Sequence, residues 1–199
     1  MPGSIFLSAS VPVRGRGDYW KTADPLLIQS AIRALATTAL GRRRIVWGGH
    51  PAITPMLMEA CNELGLEYGK SVHLYLSLFF KEEFPDENKF FQNVTYVDPV
   101  DNDREKSLAK MREQMLSRSD LEAAVFIGGM DGIEVEANLF TRFHPGKQQI
   151  YVASTGGATQ ELAIRTGMSV DEARDINYAK LFYSKLNISP NEPRQSVLP

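Results

Sequence analysis

The chain has 199 residues, 43% of them hydrophobic, which is enough to bury one substantial core and points to a single domain. A formal net charge of -2 supplies no bulk attraction to nucleic acid or to an anionic membrane, so neither is expected as a partner. No apolar run approaches the roughly 18 residues of a membrane span, no signal-peptide pattern opens the chain, and a single cysteine excludes an intrachain disulfide, so a soluble cytoplasmic protein is expected.

Ser4 to Ser10, SIFLSAS, reads as a first strand that empties into small hydroxylated residues, and Ser8 and Ser10 are candidates to line a cleft. Val11 to Ala23 carries Pro12, Arg14, Gly15, Arg16, Gly17, Tyr19 and Trp20, a loop composition suited either to covering a nucleotide or to docking Trp20 on the core. Asp24-Pro25 is an N-cap and first-turn pair, and Ile28, Ala31, Ile32 and Leu35 follow at helical spacing until Gly41. Arg42-Arg43-Arg44 reads as a solvated helix end entering a strand rather than as a basic patch. Arg44 to Trp47 is a second buried strand ending in Gly48-Gly49-His50-Pro51-Ala52-Ile53-Thr54-Pro55, where Thr54 and Pro55 repeat the cap-plus-proline device. Leu57, Ala60, Cys61 and Leu64 form the inward stripe of the next helix, which makes Cys61 a small core residue.

Val72 to Phe80 fits a third strand, Lys81 to Asn93 is irregular, and Val94 to Val97 is a short strand. The aspartates from Asp98 to Asp103 lack the spacing and central glycine of a calcium loop, so no metal site is expected. Arg104 to Arg118 reads as a helix with Leu108, Met111 and Met115 inward and Arg118 favourable at its C-terminal end; Arg112 flanks the apolar stripe.

Ser119 to Glu136, SDLEAAVFIGGMDGIEVE, organises the chain. Ala123 to Ile127 is a continuous apolar run of the kind that forms a central strand, and Gly128 and Gly129 end it. Met130-Asp131-Gly132 then opens a helix with Asp131 as N-cap and Leu139, Phe140 and Phe143 as core. Backbone N–H groups in such a turn suit an anion, while Glu134 and Glu136 suit a sugar hydroxyl or a base edge. Gln149 to Ala153 is a further strand, and Ser154-Thr155-Gly156-Gly157-Ala158-Thr159 is a third small-residue loop opening onto a helix. Ser169 to Glu172 is a capping box beginning a last helix with Val170, Ala173, Ile176, Phe182 and Leu186 inward. The domain is expected to span 1–186, with 187–199, rich in proline and with little to bury, as a tail or linker.

Strands alternating with helices imply an α/β, Rossmann-like doubly wound fold, with a mainly parallel sheet and helices on both faces. In that architecture the Ser8/Ser10 end and the turns at Gly48-Gly49-His50, Gly128-Gly129 and Thr155-Gly156-Gly157 converge on one rim, where ligands bind at the switch in strand order. Neither a P-loop nor a GxGxxG spacing is present.

SIFLSAS, WGGHPAITP, MREQMLSRSD, FIGGMDGIEVE and VASTGG, in that order, resemble the SLOG superfamily over Ser4 to Thr159. That Rossmann-like group includes the LONELY GUY phosphoribohydrolases and the DNA-processing protein DprA. Within it the chain is most similar to bacterial branches associated with TIR and Sir2 effectors in antiphage defence, which sense nucleotide-derived signals. The resemblance to LONELY GUY enzymes implies that Arg112 stands near their helical Arg and Glu136 near their catalytic Glu. Four departures separate the chain from them. Ile127 replaces Pro, an extra residue lies between Gly129 and Gly132, Ile133 replaces the phosphate-binding Thr, and the first loop is poorer in glycine. Displacement of this size harms transition-state chemistry more than ligand binding.

The resemblance therefore implies a sensor domain for a nucleotide-derived ligand of the ADP-ribose kind, needing no further cofactor and signalling to a separate TIR or Sir2 type effector. The alternative is a nucleoside 5'-monophosphate phosphoribohydrolase using Arg112 and Glu136. A scaffold that binds nothing is the third. SLOG relatives pair through helices, which implies a homodimer or a higher homo-oligomer.

Overall fold

Short apolar runs separated by amphipathic stretches become, in a computed structural model that describes residues 3–65 and 67–195, strands and helices in alternation. The strands are β1 (Ser4–Ser10), β2 (Arg44–Trp47), β3 (Val72–Ser77), β4 (Asn93–Val97), β5 (Leu121–Gly128) and β6 (Gln148–Val152). The helices are α1 (Pro25–Ala39), α2 (Thr54–Glu63), α3 (Tyr68–Ser71), α4 (Arg104–Leu116), α5 (Gly132–Phe143), α6 (Gly157–Arg165), α7 (Val170–Arg174) and α8 (Tyr178–Lys185). Among the described residues no helix is long and apolar enough to cross a membrane.

All strand pairs are parallel and the order is β4-β3-β2-β1-β5-β6, so the fold is α/β, Rossmann-like and doubly wound. The chain winds outward from β1 to β4, then crosses back to the other side of β1, which puts the topological switch between β1 and β5. There Ser10 pairs with Gly128, so both strands end at the same level.

Alternation along the strands builds two cores. Ile5 and Leu7 face one side and pack with Ile28, Ile32 and Leu35 of α1 and Phe182 of α8. Phe6, Val46 and Phe126 face the other, against Met111 and Met115 of α4 and Phe140 of α5. Phe6 sits edge-on to Phe126 at 6.3 Å and stacked on Phe140 at 6.5 Å between centroids. Each such ring contributes about 1.5–3 kcal/mol on full burial. Cys61 is buried in the first core, and desolvation pushes its thiol up to about 12.

Local signals explain most boundaries. Asp24 accepts from the amides of Leu26 and Leu27 ahead of Pro25, and Ser169 and Glu172 form the expected reciprocal capping box. Other expectations give way to tertiary partners. The third strand stops at Ser77, because β4 pairs no further than Val97 and β2 no further than Leu74; Leu78–Glu83 continues as a 3-10 helix. Thr54 is itself the first residue of α2 and donates its hydroxyl to the His50 carbonyl instead of capping. Asp131 has helical dihedrals and no capping bond, since its carboxylate accepts from the Tyr19 hydroxyl at 2.8 Å. The last helix is two, because Asn177 accepts from Lys180 N–H and starts a new one; Val170 and Ile176 are exposed, while Ala173 and Phe182 are buried.

Arg42 belongs to no solvated patch. Its guanidinium is buried and donates to the carbonyls of Thr38, Pro190 and Glu192, while Arg43 pairs with the Glu192 carboxylate at 2.5 Å. Ile188 is buried as well, so residues 187–195 lie against α1 rather than away from the body.

At the opposite end of the sheet from the switch, Arg118 pairs with Asp120 at 2.8 Å and places its Nη1 3.0 Å from His73 Nδ1. An arginine can only donate, so Nδ1 accepts and Nε2 carries the proton that meets Thr95 Oγ1 at 2.9 Å. Desolvation, then Arg118 and Arg44, lower the His73 pKa to about 4, against an opposing pull from Asp120. Between about pH 6.5 and 4 the unfolded chain therefore binds a proton that the folded chain refuses, and stability falls as pH falls through that window. Because the ring is half-buried, screening holds the loss to about 1–2 kcal/mol. His73→Gln keeps an acceptor and a donor without titrating; its denaturation midpoint is expected to fall less than that of the wild type from pH 7 to 4.5.

Candidate functional site

The strand ends at the switch open onto a cleft of about 490 Å³. Ser8 and Ser10 of β1, the turn Gly48-Gly49-His50 after β2, and Met130 and Gly132 at the start of α5 line it, together with Arg112 of α4 and Glu136 of α5. Turns from distant parts of the chain thus meet on one rim because parallel crossovers leave all strand C-termini on the same edge.

At its centre is a three-residue linkage. Ser8 Oγ donates to Glu136 Oε2 at 2.5 Å, and Arg112 Nε donates to Glu136 Oε1 at 3.0 Å. The Arg112 and Glu136 side chains are each 15% exposed, so the pair is well shielded but reachable from the cleft. Position on the elements explains the meeting. Glu136 lies one helical turn beyond Gly132, on the α5 face that looks at α4, and a Cβ on Gly132 would stand 2.8 Å from Arg112 Nη2. The bare backbone at Gly132 is what allows the guanidinium to lie against the first turn of α5, whose leading N–H groups have no intrahelical partner.

His50 is half-buried and its Nδ1 accepts from Ala52 N–H at 3.3 Å, which leaves Nε2 as the protonated nitrogen. Burial, and secondarily Arg16, lower its pKa, so the ring is neutral near pH 7. Gly49, at φ +69°, would place a Cβ 2.8 Å from the Leu76 side chain, so position 49 of the turn disfavours any side chain.

The other candidate residues lie outside the cleft lining. Gly128 N–H donates to Thr155 Oγ1 at 2.8 Å, Gly129 N–H to the Ser10 carbonyl at 2.9 Å, Gly156 N–H to the Ala153 carbonyl at 3.0 Å, and Gly157 N–H to Thr22 Oγ1 at 3.1 Å. These amides tie the strand ends and the loop before α1 into one block. Thr155 is fully buried within that block. Asp131 is exposed and held by Tyr19, and Glu134 is exposed in an ion pair with Arg165 at 2.8 Å.

Several lining residues carried little signal in the sequence. Arg104, at the start of α4, has its guanidinium carbon 5.9 Å from the centre of the Phe80 ring. Phe79, Phe80 and Asn88 come from the two 3-10 turns after β3 and Phe84 from the extended link between them, in a stretch that by sequence reads as strand and irregular loop. Its aromatic density, LFFKEEF, was the available clue. Arg16 brings the loop after β1 to the rim. Among the described residues no group of three or more His, Cys, Asp or Glu is placed to hold a metal ion.

The arrangement offers three arginines to a negatively charged group, a carboxylate with unused lone pairs to hydroxyls, and aromatic faces to a flat ring. The model of the SLOG cluster3 family matches residues 18–186 of the chain. Among curated proteins none matches it.

Proposed function

Because the chain belongs to the SLOG cluster3 family, a nucleotide-related Rossmann-like group, we propose that the cleft binds a nucleotide-derived signal of the ADP-ribose type and that the protein is a sensor domain. The observation that carries this reading is the Ser8–Glu136–Arg112 linkage inside a cleft of about 490 Å³, within the range of roughly 300–1,000 Å³ of small-molecule sites. Glu136 has each oxygen already engaged by one protein donor and retains lone pairs for ribose hydroxyls, which suits holding a ligand. Arg112, Arg104 and Arg16 answer its phosphates. No cofactor is needed for this role. The biological setting proposed is bacterial antiphage defence in the cytoplasm, with a separate TIR or Sir2 type effector as the partner and a homodimer as the working form; these follow from the resemblance.

The alternative, a nucleoside 5'-monophosphate phosphoribohydrolase, is favoured by one feature, the direct Arg112–Glu136 pair at the positions that the LONELY GUY likeness implies. Titration of the purified protein with ADP-ribose, cyclic ADP-ribose and AMP, followed by thermal melting and by assay of free base, separates the two. A sensor at about 100 times its Kd is stabilised by about 2.7 kcal/mol, which for a chain of this size raises Tm by about 5–10 °C, with no base released. Turnover of AMP to adenine that disappears in Glu136→Gln would establish the hydrolase instead. A Tm that no nucleotide moves would sink both.

A further inference from the structure

Phe79 and Phe80, in the 3-10 turn after β3, line the cleft and stay partly exposed, and among the described residues they join neither core. Phe84, which also lines the cleft, packs against the first core instead. The two free rings meet edge to face, with centroids 5.0 Å apart and planes at 74°. In such a pair the ring that gives its edge keeps both of its own faces uncovered by its partner. Aromatic surface gathered at a cleft and not used in a core is characteristic of a binding site.

Arg104 stands beside these rings. Its guanidinium carbon lies 5.9 Å from the centre of Phe80, and the residue takes the first position of α4, where the leading end of a helix disfavours a positive side chain. Its ion pair with Glu105 is exposed and so contributes little. A cation kept at a position that disfavours it suits a negatively charged ligand group arriving next to the rings. Arg104, Leu108, Met111 and Arg112 all line the cleft and share one face of α4, so this helix forms a continuous wall. Arg104 and Arg112 stand two turns apart on it, about 12 Å along the axis.

We infer that the Phe79–Phe80 pair is the platform on which the base of the ligand stacks, with Arg104 at the adjoining phosphate and the Arg112–Glu136 pair holding the ribose at the opposite end of the same ligand. The inference rests on the nucleotide reading above and adds to it where the base sits and which residues favour a ligand that carries one. Every base has a flat face, so stacking of this kind selects for the presence of a base and not for its hydrogen-bond pattern.

The test compares the full chain as wild type with the double variant Phe79→Leu and Phe80→Leu, which keeps apolar bulk and removes both rings. Two probes are titrated: ADP-ribose, which carries a base, and ribose 5-phosphate, which lacks one. The double variant is expected to bind ADP-ribose at least 10-fold more weakly, a loss typical of removing a stacking ring, and to bind ribose 5-phosphate as the wild type does. Without ligand it is expected to melt within about 2 °C of the wild type, because neither ring belongs to a core. Unchanged ADP-ribose affinity, or equal loss for both probes, overturns the platform while leaving the nucleotide reading intact. A fall in Tm of more than about 5 °C without ligand would show that the rings are structural and overturns it as well. Failure of the wild type to bind either probe overturns both readings. The second variant, Phe79→Tyr with Phe80→Tyr, keeps the rings and is expected to hold ADP-ribose within about 3-fold of the wild type; a loss as large as that of the leucine variant counts against stacking.

Discussion

Arg112→Met is expected to lower Tm by about 5–10 °C and to weaken nucleotide binding at least 30-fold. Methionine keeps much of the aliphatic stem but removes the one cation bonded to Glu136 among the described residues, and the Glu136 side chain is 15% exposed. Losing one partner of a shielded pair leaves the other charge poorly solvated, a penalty of about 3–5 kcal/mol when fully buried and about 2–3 kcal/mol at this exposure. For a chain of 199 residues each kcal/mol shifts Tm by about 2–4 °C. Ligand phosphate loses a charge-assisted donor at the same time. Glu136→Gln is expected to cost less, because an amide oxygen still faces Arg112 Nε and an amide nitrogen can donate to Ser8 Oγ. The double variant Arg112→Met with Glu136→Gln should recover part of the lost stability, and a thermodynamic cycle by thermal denaturation reads the coupling. Additive losses would show that Arg112 and Glu136 are not energetically coupled.

Gly156→Ala is expected to be the most damaging single change outside the cores, lowering stability by about 3–5 kcal/mol or preventing folding. At φ +72° and ψ −157° the residue occupies a region that is essentially restricted to glycine, at a cost of about 1–3 kcal/mol for any side chain. A Cβ would also stand 2.0 Å from the Thr22 carbonyl oxygen and 2.8 Å from Ala23 Cα, and backbone cannot rotate away as a side-chain tip can. Thr22 is the residue whose hydroxyl receives Gly157 N–H, so the clash opens the block that ties the loop before α1 to the third turn. Gly146→Ala is the control. Its φ is +80° but nothing lies within 4 Å of the added carbon, so it pays backbone strain alone, about 1–2 kcal/mol, and the difference between the two melting curves isolates the steric part. Similar losses in both variants would refute the close approach at Thr22.

These two residues illustrate how unevenly the molecule could be read from its sequence. Arg112 and Glu136 are legible as a pair only through the LONELY GUY resemblance; from the residues alone Arg112 merely flanks an apolar stripe and Glu136 merely follows the Gly128-Gly129 turn. Gly156 was legible as a turn residue, yet the reason for it was not, since the atom it avoids belongs to Thr22, 134 positions away. The same holds for the bare amides expected to grip an anion. The spacing that marks Gly128, Gly129 and Gly157 as exposed turn backbone is real, but their N–H groups are consumed by Thr155, Ser10 and Thr22. The apolar density after β3 extends to Phe80 and by itself fits a strand, and only the length of its neighbours decides where the ladder must end.

What the amino-acid sequence by itself determined is the succession of strands and helices, the positions of the glycine turns, and caps such as Asp24 and Ser169. Each of these depends on groups within one or two helical turns of one another. What only the tertiary structure decided is which turns share the cleft and which are locked into the block behind it. Those outcomes depend on contacts such as Ser8 with Glu136, 128 positions apart, whose geometry is set by the crossing back of the chain beside β1 and leaves no trace in local periodicity.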